Sequence, residues 1–377
     1  MGRRDMKINK DIVSVMDFGS SKITLLTAKS EVNNSFKLMS SVDIDYEGFG
    51  SGEFIEPNNL KNQIMQAINF AERELQCKLH NIFVGVPAEF CFTFEKTLVK
   101  TFPKKVKITS KIIDNLYLED DETSPYTTHS VINKSPLFYI INEDNKTNDP
   151  VGQYATKIQA VTSYILVENN FKMQIGSILE SLGIKNYDFL SNSLAEGVYL
   201  IDEHKRNEGA IIIDCGFITT SVGIVLGDGL KGLKSFSLGG GFITADLAKI
   251  LDISYEEAEE LKTQAIITLR PTGMDYYKLQ NGKKFGVKNV NEIILGRLDG
   301  ICELIKKCLS SMDCELPNYI PLSFTGGGLN FFEGIQDYLR KEFMRPVELI
   351  SPKALLYSRP DLASSISLLN MAINIYK

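Results

Sequence analysis

Residues 12–28 read IVSVMDFGSSKITLLTA, and residues 210–226 read AIIIDCGFITTSVGIVL. Each begins with a run rich in Ile and Val that suits a buried strand. Each then reaches Asp-x-Gly, turns through a short stretch with hydroxyls, and returns in a second apolar run. The pattern is one β-hairpin written twice, with Asp17 and Asp214 at matching turn positions. A single Asp-x-Gly hairpin is common. Two copies, each opening a half of the chain, predict a duplicated α/β fold with a cleft between its halves.

The segments around the hairpins fit this plan. Residues 60–76 have helical periodicity, with Leu60, Ile64, Ala67, Ile68, Ala71 and Leu75 on one side. NIFVGVPAEF (81–90) reads as a strand. From about 91 to 165 the character changes to short strand-like pieces, a helix near 109–118 and a polar loop around 119–135, as expected of an insertion into the first half. A helix at about 170–182 ends at Gly183, a C-cap residue. After the second hairpin come glycines at 239–241, helices near 241–251 and 254–266, a break at Pro271 and Gly273, and a helix at about 290–311.

Composition narrows the function. The chain has 377 residues and a formal charge of -6, with no dense basic stretch, which argues against a nucleic-acid partner. No uncharged apolar run approaches the roughly 18 to 20 residues of a membrane helix. The start, MGRRDMKINK, reads neither as a secretory signal nor, with Met6, as a myristoylation site. Six cysteines lack any C-x-x-C pair. The sixfold spacing of Cys302, Cys308 and Cys314 turns them away from one helix face, so reduced structural thiols in a cytoplasmic protein are expected.

Four segments in order suggest a nucleotide cradle. In the first, Gly19 admits a phosphate close to the backbone, Ser20 and Ser21 can donate to it, Lys22 can offset its charge, and Asp17 can hold Mg²⁺ through water. In the second, Asp214, Gly216, Thr219 and Thr220 supply corresponding groups. The third is SLGGGFITADLA (237–248), where Gly239, Gly240 and Gly241 open a helix whose free N–H groups face an anion. The fourth is IPLSFTGGGLNFFEGI (320–335), where Gly326, Gly327 and Gly328 would let a base or ribose lie on the backbone. Between them, Ser254 and Glu257 form a capping box on a helix that carries Glu259 and Lys262 on one side. Singly, a glycine run is usually a turn and an E-x-x-K pair a solvated face. The ordered set on a duplicated hairpin is the stronger signal.

That order is similar to the actin-like ATPases, and within them the chain resembles the FtsA family over nearly its whole length. The matching stretches include DFGSSKITLL, NDPVGQYATKIQAV, SNSLAEGVYLIDEHKRNEGAIIIDCG, LGGGFITADLA and LSFTGGGLNFFEGI. The resemblance implies two actin-like halves around ATP and Mg²⁺, with a small α/β inserted subdomain that contacts the next subunit and other division proteins. It implies boundaries at 10–87, 88–165, 166–209 and 210–345, with an outer subdomain at about 252–312 and a return to the first half at 346–377. Carried over, it places Asp17, Gly19, Ser20, Ser21 and Lys22 on the first phosphate loop, Asp214, Gly216, Thr219 and Thr220 on the second, and Gly239, Gly240, Gly241 and Asp246 on the glycine turn and its helix. Glu259 and Lys262 would lie by ribose and adenine, and Arg297 where the family holds the tail of the tubulin-like protein FtsZ. It also implies filaments in bacterial cell division at the inner face of the membrane.

Three departures matter. The second loop reads DCGFITT, where many relatives have an extra glycine pair. Asn192, with Glu196 one turn later, stands where brisk ATPases place a water-positioning acid or amide, and Asn cannot take a proton. The family usually ends in a linker and an amphipathic membrane helix, whereas this chain stops at SISLLNMAINIYK, so no direct membrane anchor is visible in it. The rivals are the pilus-assembly protein PilM, which shares the insertion, and a kinase of the same fold, for which no carboxylate-base pocket is found.

Overall fold

The computed structural model describes residues 12–31, 35–120, 126–267, 273–314, 316–329, 332–353 and 357–375. The first hairpin is β1 (Ile12–Phe18) and β2 (Lys22–Ser30), followed by β3 (Phe36–Asp45). Two short strands, β4 (Phe49–Gly50) and β5 (Glu53–Phe54), lead to α1 (Pro57–Leu75), whose buried face carries Leu60, Ile64, Ala67, Ile68 and Ala71 as its periodicity predicts. β6 (Asn81–Val86) ends four residues short of the expected strand, because Pro87 opens a 3₁₀ turn at Ala88–Phe90.

The insertion follows as β7 (Cys91–Lys107), α2 (Ser110–Leu118), β8 (His129–Ile141), β9 (Asn145–Thr147) and β10 (Tyr154–Glu168). Apart from β9 its strands are long, not the short pieces read from sequence. Central β10 is largely buried, while edge strand β7 alternates charged and apolar residues along much of its length and tolerates Pro103. Thr109 caps α2 by accepting from the Ile112 N–H.

The chain returns through α3 (Asn169–Ser181), β11 (Asn186–Ser191), α4 (Asn192–Leu200) and α5 (Glu203–Glu208). The second half holds β12 (Ala210–Cys215), β13 (Thr220–Leu226), β14 (Gly229–Phe236), α6 (Gly240–Leu251), α7 (Tyr255–Gln264), β15 (Tyr276–Lys278) and β16 (Lys284–Gly286). It closes with α8 (Val287–Ser311), β17 (Leu322–Thr325), α9 (Ile335–Phe343), β18 (Val347–Leu349) and α10 (Ala363–Ile375). The capping box of α7 forms as expected. Pro271, expected to break the helical pattern, lies outside the described residues.

The duplication is explicit in the sheets. One runs β11-β6-β1-β2-β3 and the other β18-β17-β12-β13-β14. In each, the hairpin is antiparallel and the next two strands join in parallel. Asp17 pairs with Thr24, and Asp214 with Ser221, at the same distance from each turn. This is the actin-like ATPase fold, with a smaller α/β sheet inserted.

Two joints hold the halves together. At the first, α10 packs on α4 and β1, and Leu194 of α4 and Ala363 of α10 share a buried cluster with Ile212 and Val225 of the second sheet. The insertion, though it grows from the first half, docks on the β13–β14 turn of the second. There the Asp228 N–H donates to Pro136 O at 3.1 Å, Ser163 Oγ donates to Leu230 O at 2.6 Å, and Lys231 pairs with Glu95 at 2.9 Å. No helix among the described residues is long and apolar enough to cross a membrane.

Candidate functional site

The two hairpin turns face each other across the cleft. Each is closed by one backbone bond of 2.9 Å, from Gly19 N–H to Lys22 O and from Gly216 N–H to Thr219 O. The cavity between them has a volume of about 270 Å³ and is lined by Asp17, Ser20, Asn192, Asp214, Phe217 and Lys262 among others. That is close to the lower end of the roughly 300–1,000 Å³ usual for small-molecule sites. The loops also touch, since Ser20 Oγ accepts from the Ile218 N–H at 2.9 Å. Behind them, Asn192 Nδ2 at the start of α4 donates to Asp17 Oδ1 at 2.8 Å.

Burial governs the electrostatics. Asp17 is pushed up to about 6, mainly by desolvation, against the opposing hydrogen-bonding pull of Ser364 and Asn192 and the charge of Lys22. Asp214 is pushed up to about 7 by desolvation and then by the charge of Asp17. Glu196 is 1% exposed, and desolvation, with the charges of Asp214 and then Asp17, raises its carboxyl pKa well above the usual range. At the other end, Lys262 bonds Glu259 at 2.6 Å and Thr244 Oγ1 at 2.8 Å, and its burial lowers its pKa.

These features bear on what the cleft could hold. Two carboxylates that repel each other in a buried space favour a cation between or beside them. Among the described residues no group of three or more His, Cys, Asp or Glu could cage a metal. Mg²⁺ is commonly bound by one or two carboxylates plus waters and substrate phosphates, so Asp17 and Asp214 fit magnesium brought with a phosphate and do not fit a closed protein cage.

Comparison with known proteins accords with this architecture. The family model described as "Cell division protein FtsA" matches residues 211–367. The chain is 20% identical over 380 residues to the cell division protein FtsA of Bacillus subtilis (strain 168), covering 97% of this chain and 84% of that protein. A match to FtsA of Neisseria meningitidis serogroup B, at 21% identity over 257 residues, covers 68% of this chain and 62% of that protein. The chain is thus similar to FtsA proteins over most of its length, with the family model falling on its second half. Solved structures agree on the fold. A PilM-PilN type IV pilus biogenesis complex matches with a TM-score of 0.63 at 14% identity, covering 97% of this chain and 98% of that one. MreB5 of Spiroplasma citri bound to ADP matches at 0.57 and 11% identity, covering 97% and 98%.

Most of the expected residues converge on the cleft. Asp17, Gly19, Ser20, Ser21, Lys22, Asp214, Gly216, Thr219, Glu259, Lys262, Asn192 and the glycines 326–328 all line it. Gly326 has a positive φ of 87° and sits where any side chain would strike the Asp214 carboxylate.

Four expectations need correction. The N–H groups of Gly240 and Gly241 are not free for an anion: they donate to Gly216 O at 2.9 Å and Phe217 O at 2.8 Å. The Phe217 ring packs directly on Gly241, leaving no room for a side chain there, and meets Tyr255 edge-on. Thr220 is fully buried, its hydroxyl donating to Leu238 O at 2.7 Å, because strand alternation turns it away from the cleft that Thr219 faces. Asp246 lies on the outer side of α6, where Arg297 grips it through Nε at 2.6 Å and Nη2 at 2.8 Å. Glu196 is enclosed and is not among the residues that line the cleft, so it is not placed to act as a base there.

Sequence reasoning missed Asp43, which binds Lys22 at 3.0 Å and Thr24 at 2.7 Å, and Thr244, whose hydroxyl links Glu259 to Lys262. It also missed Asp361 and Ser364 of the C-terminal segment. Only Thr244 stood in a quoted motif.

Proposed function

We propose that this chain is an ATP-binding, actin-like filament protein of bacterial cell division, working at the inner face of the cell membrane at the division site. The observation that supports the nucleotide reading best is the equivalent placement of Asp17 and Asp214 on two facing hairpins. Ser20, Ser21 and Lys22 would meet phosphates, while Glu259, Lys262 and the glycines 326–328 would border ribose and base. Magnesium bound there would neutralise phosphate charge and fix the phosphates in place. Asn192, held by Asp17, would orient a water but not deprotonate it, so turnover would be slow and the nucleotide would serve as a switch. A steady-state rate of tens per second would overturn this.

The FtsZ tail would seat on the outer face of the second half. A groove of about 830 Å³ there is lined by Asp246, Ile250, Leu251, Ile293 and Arg297. Ile250 is 62% exposed beside the guanidinium, a pairing suited to a short peptide with apolar and acidic residues. Pull-down with an FtsZ tail peptide tests it: retention that is lost in R297E supports the site, and no retention by the parent chain refutes it. Head-to-tail filaments would use the insertion, where Val99, Val151 and Tyr154 are exposed. Electron microscopy with ATP of the chain and of V99D/Y154D tests that, and equal filaments from both would refute it. A second reading, pilus assembly, is favoured by the likeness to the PilM-PilN complex, and capture of PilN in preference to the FtsZ peptide would support it.

A further inference from the structure

The last helix reaches the cleft at its first turn. Pro360, Asp361 and Ser364 line the cavity together with Asp17. Asp361 lies beside Gly327 and is held by Arg359, whose Nε donates to it at 3.0 Å. Ser364 is different: its hydroxyl is enclosed and close enough to Asp17 to pull its pKa down, yet it makes no hydrogen bond of ordinary geometry to any described residue. It is not alone: Asn192 Oδ1, Glu196 Oε1 and Thr325 Oγ1 are also enclosed without partners, and Thr325 neighbours Asp214 in the β12–β17 ladder. Native proteins rarely leave such groups unbonded unless a water or ligand completes them. The gathering of several around the two aspartates marks the floor of the cleft as unfinished in the protein alone.

We propose that Ser364 is a positioning residue of the cation-and-phosphate site, orienting the Asp17 carboxylate or the water beside it when Mg·ATP is present. The inference rests on the nucleotide reading above. Asn192 already holds one Asp17 oxygen, and it stands on α4, against which α10 is packed. The two helices therefore approach the same carboxylate from behind. A carboxylate that carries full charge beside a cation accepts stronger hydrogen bonds than a protonated one, so the Ser364 contact gains most when the site is loaded. The first turn of α10 would then be tied down by occupancy of the cleft, making the C-terminal helix a reader of nucleotide state.

Isothermal titration of ATP into the full chain, with and without Mg²⁺, tests this on wild type, S364A, S364T and S364V. Thr and Val have the same shape and differ in the hydroxyl, so packing and hydrogen bonding separate. We expect S364A and S364V to weaken Mg·ATP about ten-fold, S364T to keep wild-type affinity, and metal-free ATP to change by less than about two-fold. Equal Mg·ATP affinity in S364T and S364V overturns the proposal, as does a loss of the same size without Mg²⁺. If wild type binds no ATP, the nucleotide reading itself falls and takes this inference with it.

Discussion

The two hairpin turns have the same length and the same closing bond, yet their chemistry is opposite. Between Gly19 and Lys22 stand Ser20 and Ser21, and between Gly216 and Thr219 stand Phe217 and Ile218. The first turn presents hydroxyls to the cavity. The second turns its carbonyls onto Gly240 and Gly241 and lays its ring on Gly241, fastening α6 to the sheet. Duplication kept the backbone and its carboxylate while the side chains took different work: the first loop faces the cavity with hydroxyls, and the second anchors the helix behind it.

This contrast can be broken by experiment. Asp17→Ala and Asp214→Ala should each weaken Mg·ATP, by about 10²-fold for Asp17, which Asn192 orients, and by less for Asp214. Unchanged affinity in both mutants would remove the assignment of the paired aspartates.

Next in size is a pH effect in the metal-free chain. Both aspartates have folded-state pKa values raised above the usual value of about 3.9, to about 6 for Asp17 and about 7 for Asp214. The folded chain therefore keeps protons that the unfolded chain has released, and stability falls as pH rises from about 4 to about 7. The loss is complete above that window. Thermal melts of wild type and of D17N/D214N should show a shallower slope in the second, where buried Glu196 still titrates. A stability that rises across the window would contradict the buried pair.

Smaller effects separate the loops themselves. F217S gives the second turn the residue of the first, and should cost about 1–2 kcal/mol of stability in urea unfolding with nearly unchanged Mg·ATP affinity. A loss of binding without a loss of stability would reverse the roles assigned to the loops. S20A removes the acceptor for Ile218 N–H and should cost about 1 kcal/mol. Least of all, a double-mutant cycle on Asp246 and Arg297, both partly exposed, should give a coupling of about 0.5–1 kcal/mol.

The fold was legible where the signal is local. The two hairpins, α1 and the capping box of α7 are written in apolar runs, helical period and hydroxyl spacing. The insertion was read in outline but not in its strands. The β7 segment EKTLVKTFPKKVK carries lysines and a proline that only an edge position accommodates, and position in a sheet is a tertiary fact. In the site, the glycine run announced a close approach correctly but not what approaches. That its N–H groups are taken by Gly216 and Phe217 carbonyls depends on loops that meet only in the fold. Ser364 is silent in sequence for the same reason, since its meaning comes from Asp17, at the opposite end of the chain.

The docking of the insertion on the β13–β14 turn alters the mechanics of the cleft. Two lobes joined only where α4 and α10 cross would behave as a clamshell, free to gape at the opposite rim. A second attachment, through Asp228, Ser163 and the Lys231–Glu95 pair, converts the clamshell into a closed linkage. Rotation that parts Ser20 from Ile218 must then turn about a line through both joints or shear the second one. Whatever sits on the insertion adds stiffness to that joint, so a neighbour bound there would set how easily the cleft opens without coming near it.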